Sequence, residues 1–154
     1  MGCVGEPSPL TYGDTSDVEL ARPGYGDIAR RYLGADHRGV VVRVDGDVAA
    51  MAWYIVNTTE RTVTVKGYHP LRPGYALLHA AWTHPNHRGK GLQRETIKFR
   101  AHQIASTHPF HTLEAAVSPS NIASSRNYQH LGFTASGTLY VTSWMGRAVA
   151  RVGK

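Results

Sequence analysis

The sequence predicts an α/β domain of the α+β kind, and three features predict it. A β-hairpin signal centres on Asp45-Gly46-Asp47, a largely apolar run enters a glycine-rich turn at Arg88-Gly89-Lys90-Gly91, and helical periodicity follows that turn before a second β-rich run. The 154 residues suit one domain with a real core, and 42% hydrophobic with 18% charged residues is a globular balance, far from that of a disordered chain.

Residues 1–17 are rich in Gly, Pro, Ser and Thr and are expected to form a flexible leader, leaving 18–154 as a single domain. Val18 to Ala21 reads as a short first strand, and Gly26 to Leu33 as a short helix stopped by Gly34. Val40 to Val44 and Val48 to Val56 are β-rich runs joined by the tight turn. Arg61 to Lys66 alternates polar and apolar residues, as if extending the meander, and His69 to Gly74 is a Pro- and Gly-broken connection before a strand over Tyr75 to Thr83.

After Pro85 the period changes. Leu92, Ile97, Ala101, Ile104 and Ala105 fall on one helical stripe, with Arg94, Lys98 and Arg100 off it. Thr112 to Val117 then completes a βαβ unit, for which a right-handed crossover is the natural packing. A further helix follows Ser120-Asn121 and stops near Leu131-Gly132, Phe133 begins the next extended segment, and Thr138 to Trp144 is a strand.

A net charge of +6 favours acidic partners, but the basic residues concentrate only at Arg88, Lys90, Arg94, Lys98 and Arg100, with no single-sign run of the nucleic-acid type. A small anionic ligand fits best. The lone Cys3 excludes an intramolecular disulfide and any Cys-rich zinc site. With neither a signal-peptide core nor an apolar run of membrane-spanning length, the expectation is a cytoplasmic protein without a membrane partner.

A loop that leaves a strand and opens a helix offers unpaired N–H groups at the positive end of the helix dipole. Gly89 and Gly91 allow close approach of an anion, and Arg88 and Lys90 add charge. Lys90 is followed by Gly91 rather than Ser or Thr, so this is not a nucleotide-hydrolysing P-loop; the third glycine of a dinucleotide fingerprint is missing too. By itself such a turn also suits a solvated helix entry. The second motif is rarer: Asn121, Ser124 and Tyr128 lie close along one helix, with Gly132-Phe133 at its end.

Together the two motifs resemble those of the GNAT superfamily of acyl-CoA-dependent N-acyltransferases, over roughly Val40 to Tyr140. The resemblance implies a mixed, mostly antiparallel twisted sheet with splayed central strands, flanked by helices. It implies acetyl-CoA as co-substrate, with Arg88, Gly89, Lys90, Gly91, Leu92 and Gln93 as the pyrophosphate turn; Gln93 departs from the family's Gly or Ala, and either crowds the turn or lends its amide to a phosphate. It further implies that Asn121 contacts the pantetheine arm with Ser124 beside it, that backbone N–H groups of Ala81, Trp82 and Thr83 meet the thioester and pantetheine, and that Tyr128 protonates the departing thiolate.

The family often carries its general base, a Glu or His, on the strand before the turn. His79 is the candidate, with Glu114 and Glu60 as alternatives; a His on an apolar strand also suits a satisfied core position. Tyr75 and Trp82 are candidates for the acceptor pocket, although aromatic residues on strands are commonly core. The pairs His84/His87 and His108/His111 straddle Pro and lack a ligand set, so no metal is expected. The implied reaction moves an acetyl group to a primary amine of a small molecule or peptide by direct attack in a ternary complex, and a homodimer stays open. The short stretch before Val40 leaves room for a wide cleft and a bulky acceptor. A non-catalytic CoA- or nucleic-acid-binding module is the rival reading.

Overall fold

The computed structural model describes residues 3–144 and 147–153. Nine strands and four α-helices are defined among them: β1 (Ser8–Leu10), α1 (Thr15–Ala21), α2 (Gly26–Gly34), β2 (Arg38–Val44), β3 (Asp47–Val56), β4 (Val63–Val65), β5 (His69–Leu71), β6 (Tyr75–Thr83), α3 (Leu92–Thr107), β7 (Thr112–Ala115), α4 (Ile122–His130), β8 (Thr138–Trp144) and β9 (Arg147–Gly153). The main sheet has the order β1-β2-β3-β6-β7, antiparallel except for the β6–β7 pair. The mixed, mostly antiparallel sheet expected from the resemblance is therefore present.

The β2–β3 hairpin turns on Asp45 and Gly46, both with positive φ (52° and 91°), the primed-turn geometry that an Asp-Gly pair favours. Alternation along these strands divides the core. Val41, Met51 and Trp53 face α1 and α2, whereas Val40, Tyr54, Ala76 and Leu78 face α3 and α4 with Ile97, Ile104 and Tyr128.

Several expectations are corrected. Residues 8–17 are not a loose leader: β1 pairs with β2 through Ser8↔Val41 and Leu10↔Gly39, and Leu10 is buried. A three-residue strand is too short to show a period, so only its pairing reveals it. Val18 to Ala21 is helical, because Val18 packs into the core beside α2 while Glu19 caps the next segment by accepting from the N–H groups of Gly24 and Gly26. Both helices before β2 exist, though short. β4 does not extend the meander. It pairs with β5, inside the segment expected to be irregular, as a separate two-stranded ribbon pinned by Asn57, whose Nδ2 donates to the carbonyls of Arg61 and Leu71. Phe133 lies in no strand; it packs against Tyr128, and β8 begins only at Thr138, pairing with β9 outside the main sheet.

The helix α3 departs from its expected stripe in one respect that matters below. Arg100 is fully buried between Ile97 and Ile104, while Ala105 is exposed. The 97, 100, 104 spacing is itself helical, so the residue lies on the core face despite its charge.

Candidate active site

β6 and β7 are paired only from Tyr75↔Thr112 to Leu78↔Ala115. One further bond, from the Ala116 N–H to the Leu78 carbonyl at 3.4 Å, ends the contact. β6 continues five residues to Thr83 without β7, so β6 parts from the edge strand β7, and among the described residues no strand pairs with the edge of residues 79–83 on that side. On its other side β6 meets β3 through a bulge: Trp53 opposes His79 and Met51 opposes Trp82, which leaves Ala80 and Ala81 against the single residue Ala52. Ala80 takes the extra turn with φ +49°. Ala81 is exposed, and Trp82 and Thr83 are half-buried.

The chain then enters a 3₁₀ turn at Pro85–His87 and the glycine turn. Gly89 and Gly91 have φ of +78° and +76°. A Cβ built on Gly89 would meet nothing within 4 Å, and one on Gly91 only a far atom of Arg94. The glycines therefore serve the backbone conformation and leave open the face an anion would approach. No side chain caps the first turn of α3, so its N–H groups stay available. Leu92 is buried with Val42, Val44, Ala49 and Ala50, anchoring the turn to the sheet through its side chain. Arg88 Nε donates to the Thr83 carbonyl at 3.3 Å, and Lys90 Nζ lies 3.0 Å from His87 Nδ1. Beside the turn, a hollow of about 420 Å³ is lined by Lys90, Arg94, Lys98 and His130, with Glu95 as its carboxylate, already paired to Lys98. These residues fit a polyphosphate.

The second motif is brought to the same place. Asn121 is the N-cap of α4, its Oδ1 accepting from the Ser124 N–H at 3.1 Å. Tyr128 is buried in the cluster that also holds Leu78 and Ile97, with Ala115 and Val117 at its margin, on the α3 and α4 side of the sheet. The Gln93 amide is engaged within the protein. Its Nε2 donates to Ser124 Oγ at 2.7 Å and its Oε1 accepts from Asn127 Nδ2 at 2.7 Å, so it ties α3 to α4.

His79 is 3% exposed, against Trp53 and beneath Tyr32. Its Nε2 is 2.8 Å from Nδ1 of His37, whose ring stacks on Tyr32, and its Nδ1 has no partner. Burial, with help from His37 and Lys66, pushes its pKa down to about 2, and burial with Lys66 also lowers that of His37. Both imidazoles are neutral at ordinary pH. His37 lines an open cleft of about 1170 Å³ between the end of α2, the adjoining ends of β2 and β3, and β4. None of residues 79–83 lines that cleft, but His37 on its wall is hydrogen-bonded to His79.

The alternative bases lie elsewhere. Glu114 Oε2 is 3.2 Å from His69 Nε2, and Glu60 is exposed in the loop after β3. Trp82 stands near Arg22 and His84, whereas Tyr75 begins β6, at the opposite end from the turn, beside Arg72. The structure does not bring Tyr75 to the other site residues. No group of three metal-ligating side chains is assembled among the described residues.

Sequence reasoning missed His37, Asn127 and Arg100. His37 is 42 positions from its partner, and no local pattern announces that contact. Arg100 was legible only as a cation at core spacing: its Nη1 donates to the Trp53 carbonyl at 2.8 Å and its Nε to the Thr96 carbonyl at 3.1 Å, while Nη2 has no partner.

A glycine turn that leaves β6 and opens α3 beside a basic hollow is the arrangement of an anion-binding α/β domain. The acetyltransferase (GNAT) family model matches residues 11–133, and the chain belongs to this family as a GNAT-type N-acetyltransferase. Among solved structures, the ribosomal-protein-alanine N-acetyltransferase from Brucella melitensis biovar Abortus 2308 superposes with a TM-score of 0.69 at 19% identity, over 92% of this chain and 100% of that one. The aminoglycoside N-acetyltransferase AAC(6')-Iy in complex with CoA gives 0.69 at 16% identity, over 90% and 98%. A Trypanosoma brucei acetyltransferase gives 0.66 at 18%, over 92% and 100%. These likenesses show the shared fold. No curated protein matches the sequence significantly.

Proposed function

We propose that this protein transfers an acetyl group from acetyl-CoA to a primary amine of a small molecule or peptide, by direct attack within a ternary complex. The observation that carries the reading is the meeting of two parts at one end of β6, the edge of residues 79–83 left unpaired by β7 and the glycine turn, with the buried Tyr128 on α4, a helix tied to the start of α3 through Gln93. The N–H groups at the start of α3, with Lys90, Arg88 and Arg94, hold the phosphates. The backbone of Ala81 to Thr83 orients the pantetheine arm and polarises the thioester carbonyl. Asn121 and Ser124 shape the α4 side, held there by Gln93.

In the transfer step the amine nitrogen bonds to the carbonyl carbon, the carbon–sulfur bond breaks, and the thiolate takes the Tyr128 hydroxyl proton, which solvent later restores. The amine must lose its own proton. His79 is too buried to touch an acceptor and its pKa of about 2 is too low for a base, so it acts on His37, the ring that faces the cleft, by fixing its tautomer through the hydrogen bond between them.

A thiol-release screen with acetyl-CoA against small amines, amino sugars, aminoglycosides and peptides tests the reading. Transfer to at least one class is expected, with Tyr128→Phe lowering kcat much more than CoA affinity. CoA binding without release under any acceptor would leave a CoA-binding module instead.

A further inference from the structure

We propose that Arg100 is a positioning residue for the transfer step, holding a fixed positive charge beside Tyr128 as that hydroxyl gives its proton to the thiolate. The inference rests on the reading of Tyr128 as the proton donor.

Arg100 is 0% exposed, and among the described residues it forms no ion pair. A guanidinium taken from water without a carboxylate is costly, and a well-packed apolar side chain would serve stability at least as well. Its retention in the core therefore calls for a role. Two of its three nitrogens are engaged. Nε donates to Thr96 in its own helix, and Nη1 donates to the carbonyl of Trp53, the β3 residue at which the bulge opposite Ala80 begins. These bonds fix the guanidinium plane between α3 and the bulge. The third nitrogen, Nη2, is buried and unpartnered.

Arg100 also lies on the face of α3 that carries Ile97 and Ile104, both packed in one cluster with Tyr128. Burial lowers the pKa of Arg100, and Tyr128, within reach of the guanidinium, opposes that shift. When the Tyr128 hydroxyl hydrogen passes to sulfur, negative charge develops on the phenol oxygen in a place that water hardly reaches, and a cation already held there stabilises it without reorganisation. The same bond to Trp53 couples that charge to the bulge that shapes the ledge of Ala81 to Thr83. No oxidant, metal or further reactant is needed.

The test is a double-mutant cycle on kcat and KM for acetyl-CoA, using the amine most rapidly acetylated in the screen above. Arg100→Met is expected to lower kcat about 10- to 100-fold with KM changed by less than about threefold, and Arg100→Lys to recover much of the loss. In a Tyr128→Phe background, Arg100→Met should cost less than about threefold, because the charge no longer has an oxygen to stabilise. Equal losses in the two backgrounds, or no recovery by lysine, would overturn the inference while leaving Tyr128 as the donor. Full activity of Tyr128→Phe would instead remove the donor reading, and this inference with it. Where Arg100→Met does not fold, Arg100→Gln takes its place, with an acetyl-CoA analogue bearing a more acidic thiol as second readout. That thiolate departs without a proton, so the deficit shrinks if Arg100 assists protonation and persists if Arg100 only packs.

Discussion

The Nδ1 of His37 and the Nε2 of His79 share a 2.8 Å hydrogen bond inside the protein, between the end of α2 and the strand that carries the site. Only one proton fits that bond, and neither ring is free to charge without loss. Because the folded pKa of His79 is about 2, the unfolded chain binds a proton below about pH 6.5 that the folded chain refuses. Stability is therefore complete above that pH and falls as pH drops from about 6.5 toward 2. At pH 5 the loss from His79 alone is about 2 kcal/mol, and the lowered pKa of His37 adds in the same direction. Urea unfolding at pH 7.5, 6 and 5 checks this: the wild type loses stability steeply, and His79→Gln gives a flatter slope.

Gln93 is expected to matter to stability rather than to phosphate affinity. Both polar atoms of its amide are taken, by Ser124 and Asn127. Gln93→Ala breaks two part-buried hydrogen bonds and should cost about 1–2 kcal/mol of unfolding free energy. Calorimetric titration with CoA should show a Kd within about threefold of wild type. A tenfold weakening without loss of stability would return the side chain to the phosphates.

These two cases mark where the sequence was legible. The hairpin, β6, α3 and α4 carry their own local signals: the Asp-Gly turn, an apolar run ended by Pro, helical spacing, and an Asn N-cap with a glycine stop. The glycine turn that opens α3 and the Asn121-capped helix that stops before Gly132 were therefore readable as structure. What was hidden depends on contacts distant in sequence. β1 exists because β2 pairs with it, Gln93 turns to α4 because Asn127 and Ser124 are there, and His79 meets His37 only after α2 has packed on the sheet. Charge misled at Arg100, since residue type argued for the surface and only the 97, 100, 104 spacing argued for the core.

Gly39 tests the packing of the short edge strand. A Cβ at this position would lie 2.8 Å from the Cβ of Leu10 and 2.9 Å from the Trp53 ring, and neither neighbour is the free end of a flexible chain. Gly39→Ala must push β1 from β2 or displace the indole, so a loss of about 1–3 kcal/mol is expected. Trp53 opposes His79 across the β3–β6 ladder. A shift of the indole should therefore reach the site, and the variant's remaining folded fraction should show a lower kcat. Unchanged stability would mean that β1 is not held as described.

Gly89 and Gly46 make a matched pair for the phosphate turn. Both have positive φ, +78° and +91°, and at both a Cβ would meet nothing within 4 Å. Alanine at either position thus brings the same backbone strain, about 1 kcal/mol, and no packing clash. They differ in what faces them. Gly46 closes the β2–β3 hairpin, whereas Gly89 lies in the turn that opens α3 beside Lys90 and Arg94. If the open face of Gly89 is where phosphate oxygens approach the backbone, a methyl group there holds them off, and Gly89→Ala should weaken CoA at least about tenfold. Gly46→Ala should leave CoA affinity at the wild-type value while losing similar stability. Raising the salt concentration should weaken CoA binding to wild type more than to Lys90→Ala, because the lysine supplies part of the screened attraction. Equal CoA affinity in the two glycine variants would show that the turn serves only as an entry to the helix.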